Sequence, residues 1–90
     1  ADVDNLRYDA ASKRVYAGYG DGDEAAIGMI DATTNKRLDE HYKTGAHPES
    51  YQLETSGSKI YVNLPDLKQV GVIDRNTKQI SKWPLNFEDN

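Results

Sequence analysis

The sequence contains no cysteine, which excludes disulfides and thiolate metal sites and leaves the redox compartment undetermined. No apolar run approaches the roughly 18 residues that a membrane-spanning helix requires. The start, Ala1-Asp2-Val3-Asp4, lacks the features of a signal peptide. Basic residues are also scarce, because 11 Lys and Arg stand against 15 Asp and Glu, for a net charge of −4. We therefore expect neither a membrane span nor a nucleic-acid partner.

The apolar content is thin for a self-sufficient core, with 37% hydrophobic and 29% charged residues in 90 positions. A chain of this length buries only about 60–65% of the surface that it exposes when unfolded. Six tyrosines supply most of the aromatic residues, and tyrosine favours strands and half-buried sheet faces. The composition therefore predicts one small β-rich domain, or part of a larger one.

The sequence contains two copies of one internal repeat. Tyr16 and Tyr61 are equivalent at an offset of 45 positions, which also aligns Val15 with Ile60. After the next loop the offset becomes 43, which aligns Ile30-Asp31 with Ile73-Asp74. A repeat that changes length only in its loops is typical of stacked supersecondary units. We assign residues 1–45 to the first unit, and 46–90 to the second unit with the start of a following one.

Each unit contains four short apolar or alternating segments bounded by turn residues, which predicts four antiparallel strands. The predicted strands are 5–9, 14–19, 25–31 and 36–42 in the first unit, and 49–54, 59–64, 69–74 and 79–83 in the second. Four strands in about 45 residues is typical of a β-propeller blade. A single eight-stranded sandwich is the alternative, although it would not require two similar halves.

In the second unit, Tyr61-Val62-Asn63 and Val70–Asp74 are followed by Thr77-Lys78. In the first unit, Ile30-Asp31 and Thr34-Asn35-Lys36 keep this pattern, whereas Tyr16-Ala17-Gly18 departs from it. Over nearly the whole chain, the pattern resembles the YVTN family of β-propeller repeats. The resemblance implies an all-β fold, a secreted or periplasmic location, and mostly scaffold or binding functions. Family members usually form rings of about seven blades, and this chain supplies two.

Two blades leave an uncovered apolar face at each end, and such faces favour association. The missing blades belong either to a longer chain or to further copies, which would assemble head to tail into a closed ring. We expect assembly, as a homo-oligomeric ring of three to five chains.

Ligands of ring propellers bind where the innermost strands converge. The candidate ligand-binding residues are polar positions near the starts of those strands, with one from the neighbouring strand: Asn5, Arg7, Glu49, Gln52 and Asn63. No residue pattern predicts a catalytic nucleophile, a metal site or a cofactor. The ligand could be either a protein or a small molecule.

Two further groups carry weaker signals. Asp21, Asp23 and Glu24 lie in a glycine-rich loop, but the oxygen ligands that complete a Ca²⁺ loop are missing, so an exposed acidic turn is the better explanation. His41 and His47 have a spacing that fits no zinc pattern. His47-Pro48-Glu49 leads into an innermost strand near the predicted channel mouth. The simpler interpretation of this segment is structural, with Pro48 fixing a turn that His47 caps.

The sequence therefore predicts a non-enzymatic propeller unit that assembles into a ring and offers a scaffold or binding surface. The alternative is part of a propeller enzyme, such as a metal-dependent hydrolase of the lactonase type. That alternative requires carboxylate and amide groups to converge on the channel, and Glu49 and Asn5 are placed for it.

Overall fold

The computed structural model describes residues 3–85, which form eight strands and two short 3₁₀ helices. The strands are β1 (Val3–Asp9), β2 (Arg14–Tyr19), β3 (Ala26–Asp31), β4 (Lys36–Lys43), β5 (Ser50–Leu53), β6 (Lys59–Leu64), β7 (Gln69–Asp74) and β8 (Ile80–Pro84). The 3₁₀ helices, Gly22–Glu24 and Pro65–Leu67, join β2 to β3 and β6 to β7. No helix in this part of the chain is long and apolar enough to span a membrane.

The strands form two four-stranded antiparallel sheets in sequence order, β1-β2-β3-β4 (sheet 1) and β5-β6-β7-β8 (sheet 2). Each strand pairs with the next one, so each sheet is built from tight local hairpins. This confirms the predicted all-β class with two four-stranded sheets. The division at residue 45 falls between β4 and β5 and stays a prediction, as does ring closure, and the predicted lead-in at 86–90 lies outside the described residues.

The two sheets repeat each other down to their turns. The backbone N–H of Ala32 donates to the carbonyl of Lys13, and that of Arg75 donates to the carbonyl of Ser58, both at 2.9 Å. In the turn after β7, the N–H groups of Asn76 and then Thr77 donate to the carboxylate of Asp74, which lowers the pKa of Asp74. Matching hydrogen bonds at matching positions give the sequence repeat a structural counterpart.

The β3–β4 turn shows the same device with different residues. The N–H of Thr33 donates to the carboxylate of Asp31 at 2.8 Å, as Asn76 does to Asp74. Asn35 and Lys78 close the two turns in the left-handed region, with φ of 59° and 64°. Asparagine tolerates this region well, whereas lysine rarely adopts it. The two turns thus keep the same backbone conformation although the residue at this position differs.

One difference lies in the last strand of each sheet. The β3–β4 pairing contains a bulge between Gly28 and Ile30, whereas the β7–β8 pairing is regular. A bulge gives β4 extra residues opposite β3 and increases the local twist. As a result, Tyr42, which pairs with Ile27, takes the same place in sheet 1 as Trp83, which pairs with Val70, takes in sheet 2.

The core lies between the sheets. Register places Tyr16, Ile27, Met29 and Tyr42 on the side of sheet 1 that faces sheet 2, and we call this side the inner face of sheet 1. The inner face of sheet 2 meets it with the buried side chains of Tyr51, Ile60, Val62, Leu64 and Ile73. Close packing is helped by Gly18, where an added Cβ would come within 3.1 Å of Pro48. We call this contact the inter-sheet interface.

Candidate functional site

Three loops gather at one end of the two sheets, which we call the linker end. They are the β2–β3 loop, the β4–β5 linker and the β6–β7 loop. Buried Thr44 fixes the linker, because its N–H donates to the carbonyl of Ala25 at 3.1 Å and its hydroxyl donates to that of Ala46 at 2.7 Å. His47 Nδ1 lies 2.7 Å from the carbonyl oxygen of Gly20. Since a carbonyl only accepts, this nitrogen carries a hydrogen.

Three of the predicted site residues come together at the linker end. The side-chain amide of Asn5 donates to the carbonyl of Glu49, and the N–H of Glu49 donates to the carbonyl of Asn63 at 3.0 Å. The backbone of Glu49 is therefore held on both sides, just before β5 begins. Its carboxylate is exposed at the start of the first strand of sheet 2.

The other two predicted site residues are placed differently. Arg7 shares a face of β1 with Asn5, but its guanidinium lies over the ring of Tyr51, with Cζ 5.3 Å from the ring centroid. Arg7 Nη1 also donates to the carbonyl of Leu6 at 2.9 Å. Gln52 is exposed and pairs with Tyr61 on the side of β5 that faces away from sheet 1. The structure thus joins Asn5, Glu49 and Asn63 and does not bring Gln52 to them.

Sequence reasoning missed the role of Tyr51. Its buried hydroxyl lies 2.8 Å from the carbonyl of Tyr16 and 3.0 Å from that of Asn5. Burial raises the pKa of Tyr51 to about 12, against an opposing effect of the positive charge of Arg7. Tyr51 therefore fixes β1 against β5 and positions Asn5. A tyrosine in a strand ordinarily indicates packing, and nothing in its local sequence shows that its hydroxyl reaches across to another sheet.

The opposite end of the sheets carries a cleft of about 640 Å³ between the β1–β2 and β5–β6 turns, lined in part by Asp9, Arg14 and Arg75. Arg75 would be the natural group there for binding an anion. However, it donates to the carbonyls of Ser58 at 2.9 Å and Gly57 at 3.0 Å, and it lies 3.4 Å from the carboxylate of Asp9. Arg75 is thus committed to protein partners, and its contact with Asp9 holds sheet 2 against sheet 1.

No residues within 3–85 form a group of three or more His, Cys, Asp or Glu side chains that could hold a metal ion. The acidic loop forms the 3₁₀ helix Gly22–Glu24 with exposed side chains. Asp21 lies 3.8 Å from His47 Nδ1. This loop thus contributes one carboxylate to the surroundings of His47.

No protein-family model matches the chain, and no curated protein matches it either. Among solved structures, the chain is similar to a crystal structure from Bacteroides fragilis that is provisionally described as a 6-phosphogluconolactonase. The TM-score is 0.65 at 16% sequence identity. The likeness covers 92% of this chain and 24% of the other, so the chain spans about a quarter of the length of the structure that it matches.

This likeness shows the fold, which is propeller-like, in agreement with the predicted blades. No family model supports the more specific resemblance to YVTN repeats. The expectation that the protein is not an enzyme is corrected by the same comparison, because a protein with this arrangement of sheets is described as an enzyme. That expectation followed from the scaffold functions that the YVTN resemblance implied.

Proposed function

We propose that the chain forms part of a propeller hydrolase that opens lactones of sugar acids, with its reaction site at the linker end. The observation that carries the proposal is the similarity in fold to the protein described as a 6-phosphogluconolactonase. The contact between Asn5 and Glu49 supports it, because the side-chain amide of Asn5 donates to the backbone carbonyl of Glu49 and thus lies beside a residue whose carboxylate is exposed. No observation favours the scaffold function.

The reaction needs a base that activates water. Water adds to the lactone carbonyl carbon, the bond from that carbon to the ring oxygen breaks, and a hydroxy acid results. The carboxylate of Glu49 takes the proton of the attacking water and returns it to the departing ring oxygen. Asn5 and Asn63 act as positioning residues, since they hold the backbone of Glu49. The described residues offer no group of three His, Cys, Asp or Glu side chains that could hold a metal ion, and no step is assigned to a metal.

The test is the rate of acid release from 6-phosphogluconolactone and from unphosphorylated gluconolactone, after subtraction of the uncatalysed rate. Glu49→Gln should lower the rate at least about 100-fold, because general-base catalysis contributes about that much or more. Glu24→Gln is the matched control, since Glu24 is an exposed acid in a loop at the same end. A folded protein with no rate above background, or equal rates for Glu49→Gln and the control, contradicts the proposal.

A further inference from the structure

Each sheet has a second face that points away from the inter-sheet interface. The outer face of sheet 1 carries Leu6, Tyr8, Val15, Ala17, Tyr19 and Ile30. The outer face of sheet 2 carries Gln52, Tyr61, Asn63, Val70, Val72 and Trp83. Both faces hold apolar side chains that the described chain leaves at least partly exposed, with Leu6 at 59% and Trp83 at 56%.

The repeat makes these two faces complementary. Strand register places Leu6, Val15 and Ile30 where Tyr51, Ile60 and Ile73 lie on the inner face of sheet 2. It also places Tyr61, Val72 and Trp83 where Tyr16, Met29 and Tyr42 lie on the inner face of sheet 1. The outer face of sheet 2 thus repeats one side of the inter-sheet interface, and the outer face of sheet 1 repeats the other.

Side-chain sizes at one central contact follow the same logic. At the inter-sheet interface, Gly18 makes room for the large ring of Tyr51, whose Cε1 would lie 3.3 Å from an added Cβ. Asn63 stands in the place of Gly18 and Leu6 in the place of Tyr51. On the outer face of sheet 2, Asn63 is larger than Gly18, and on the outer face of sheet 1, Leu6 is smaller than Tyr51. The increase in size on one face is therefore offset by the decrease on the other.

We propose that the outer face of sheet 2 binds the outer face of sheet 1 of a second copy, in the geometry of the inter-sheet interface. The contact is heterologous, because it joins two different faces, and successive copies therefore close into a ring if the rotation allows it. Three to five chains would supply six to ten sheets, and propellers typically have about four to eight. The driving force is burial of exposed apolar side chains on both faces.

One difference between the new contact and the inter-sheet interface concerns a charged residue. Ala32 stands in sheet 1 where Arg75 stands in sheet 2, as their matching N–H bonds to Lys13 and Ser58 show. Across the contact between copies, Glu54 and Tyr61 take the places of Asp9 and Tyr16, which Arg75 reaches at 3.4 Å. The contact between copies therefore lacks its guanidinium, and we expect it to be weaker than the contact within one chain.

The oligomeric state tests the proposal, by light scattering and sedimentation over a dilution series. The wild-type protein should form a discrete oligomer, and Leu6→Glu or Trp83→Glu should each reduce it to monomers that remain folded by circular dichroism. Leu67→Glu is the matched control, because Leu67 is an exposed leucine in the β6–β7 loop, outside both faces. A folded wild-type monomer at every concentration overturns the proposal, as does an equal effect of Leu67→Glu.

Mixing the two monomeric variants identifies the faces involved. Leu6→Glu keeps an intact outer face on sheet 2, and Trp83→Glu keeps an intact outer face on sheet 1. A heterologous contact predicts that the mixture forms a dimer with one copy of each variant and nothing larger. If either variant dimerises alone, or if the mixture stays monomeric, the head-to-tail contact is wrong.

The position of Ala32 offers a gain of affinity. Ala32→Arg supplies the missing guanidinium opposite Glu54 of the second copy and should tighten association about tenfold, as a charge-assisted hydrogen bond does. Ala32→Glu places a carboxylate opposite the same residue and should weaken association by a similar factor. Equal dissociation constants for the two variants would show that the copies do not meet in this geometry.

Discussion

Ile73 and Ile30 occupy the same place in the two sheets and have opposite surroundings. Ile73 lies between Ile60 and Ile80 on the inner face of sheet 2 and is fully buried. Ile30 lies between Val15 and Arg37 on the outer face of sheet 1 and is 37% exposed. The same strand pattern thus becomes core or surface according to whether another sheet stands on it. The local sequence determines where a strand forms, and the stacking of the sheets determines how much each of its side chains contributes to stability.

Alanine at these two positions gives the largest expected difference. Ile73→Ala should lower the free energy of unfolding by about 3–4 kcal/mol, because it leaves a cavity in a packed core. Ile30→Ala should cost less than about 1 kcal/mol in the monomer, because the outer face has no packed neighbour to lose. Urea unfolding at a concentration that keeps the protein monomeric measures both values. Equal losses would show that the outer face is already covered within one chain.

Arg75 and Ala32 provide the next comparison. Arg75→Ala should destabilise the chain by about 2–3 kcal/mol, because it leaves the half-buried carboxylate of Asp9 without its cation and frees the carbonyls of Gly57 and Ser58. Arg37→Ala is the control, since Arg37 is exposed on the edge strand β4. Its loss should stay within about 0.5 kcal/mol in the same urea titration. A comparable loss in both variants would mean that Arg75 does not hold the sheets together.

Most of the fold is predictable from the sequence because its determinants are local. Alternating strands, turn residues and the offset of 45 predict eight strands in two similar sheets, and the structure has them with shifts of one or two residues at their ends. The bulge opposite Gly28 was not predicted. It inserts residues into β4, where alternating polar side chains give no sign of a change in register.

The site is less predictable, because its contacts join residues that are far apart in sequence. Asn5 and Glu49 were chosen because they lie near the starts of the innermost strands, and the structure places them in contact where those two strands lie side by side. Their role in ligand binding stays a prediction. Gln52 was grouped with them in the sequence analysis, and the structure does not bring it to them, because alternation along β5 turns it toward the outer face. The bridge from Arg75 to Asp9 spans 66 positions and depends on how the sheets stack, which no local pattern encodes.

The hydroxyl of Tyr51 gives the smallest expected change in the free energy of unfolding, and the one that depends on pH. The hydroxyl of Tyr51 binds the carbonyls of Tyr16 and Asn5, so Tyr51→Phe should cost about 1 kcal/mol at neutral pH. Tyr61→Phe is the control, because its hydroxyl lies 3.5 Å from Glu54 at the half-buried outer face. We expect its cost to stay below about 0.5 kcal/mol.

The pKa of Tyr51 makes that cost shrink in alkali. Burial raises the pKa from 10.0 to about 12, so the folded protein keeps a proton that the unfolded chain has already lost. The resulting stability is fully present below pH 10 and is lost as the pH rises toward 12. By pH 11 the wild-type protein should have lost about 1.4 kcal/mol through this group, and Tyr51→Phe should have lost none by that route. Burial also raises the pKa of Tyr42, but its contribution is the same in both proteins and cancels in the difference. The free energies of unfolding of the two proteins should therefore converge as the pH rises from 7 and become equal or cross by pH 11. A difference that stays constant would mean that the hydroxyl of Tyr51 is solvated in the folded protein.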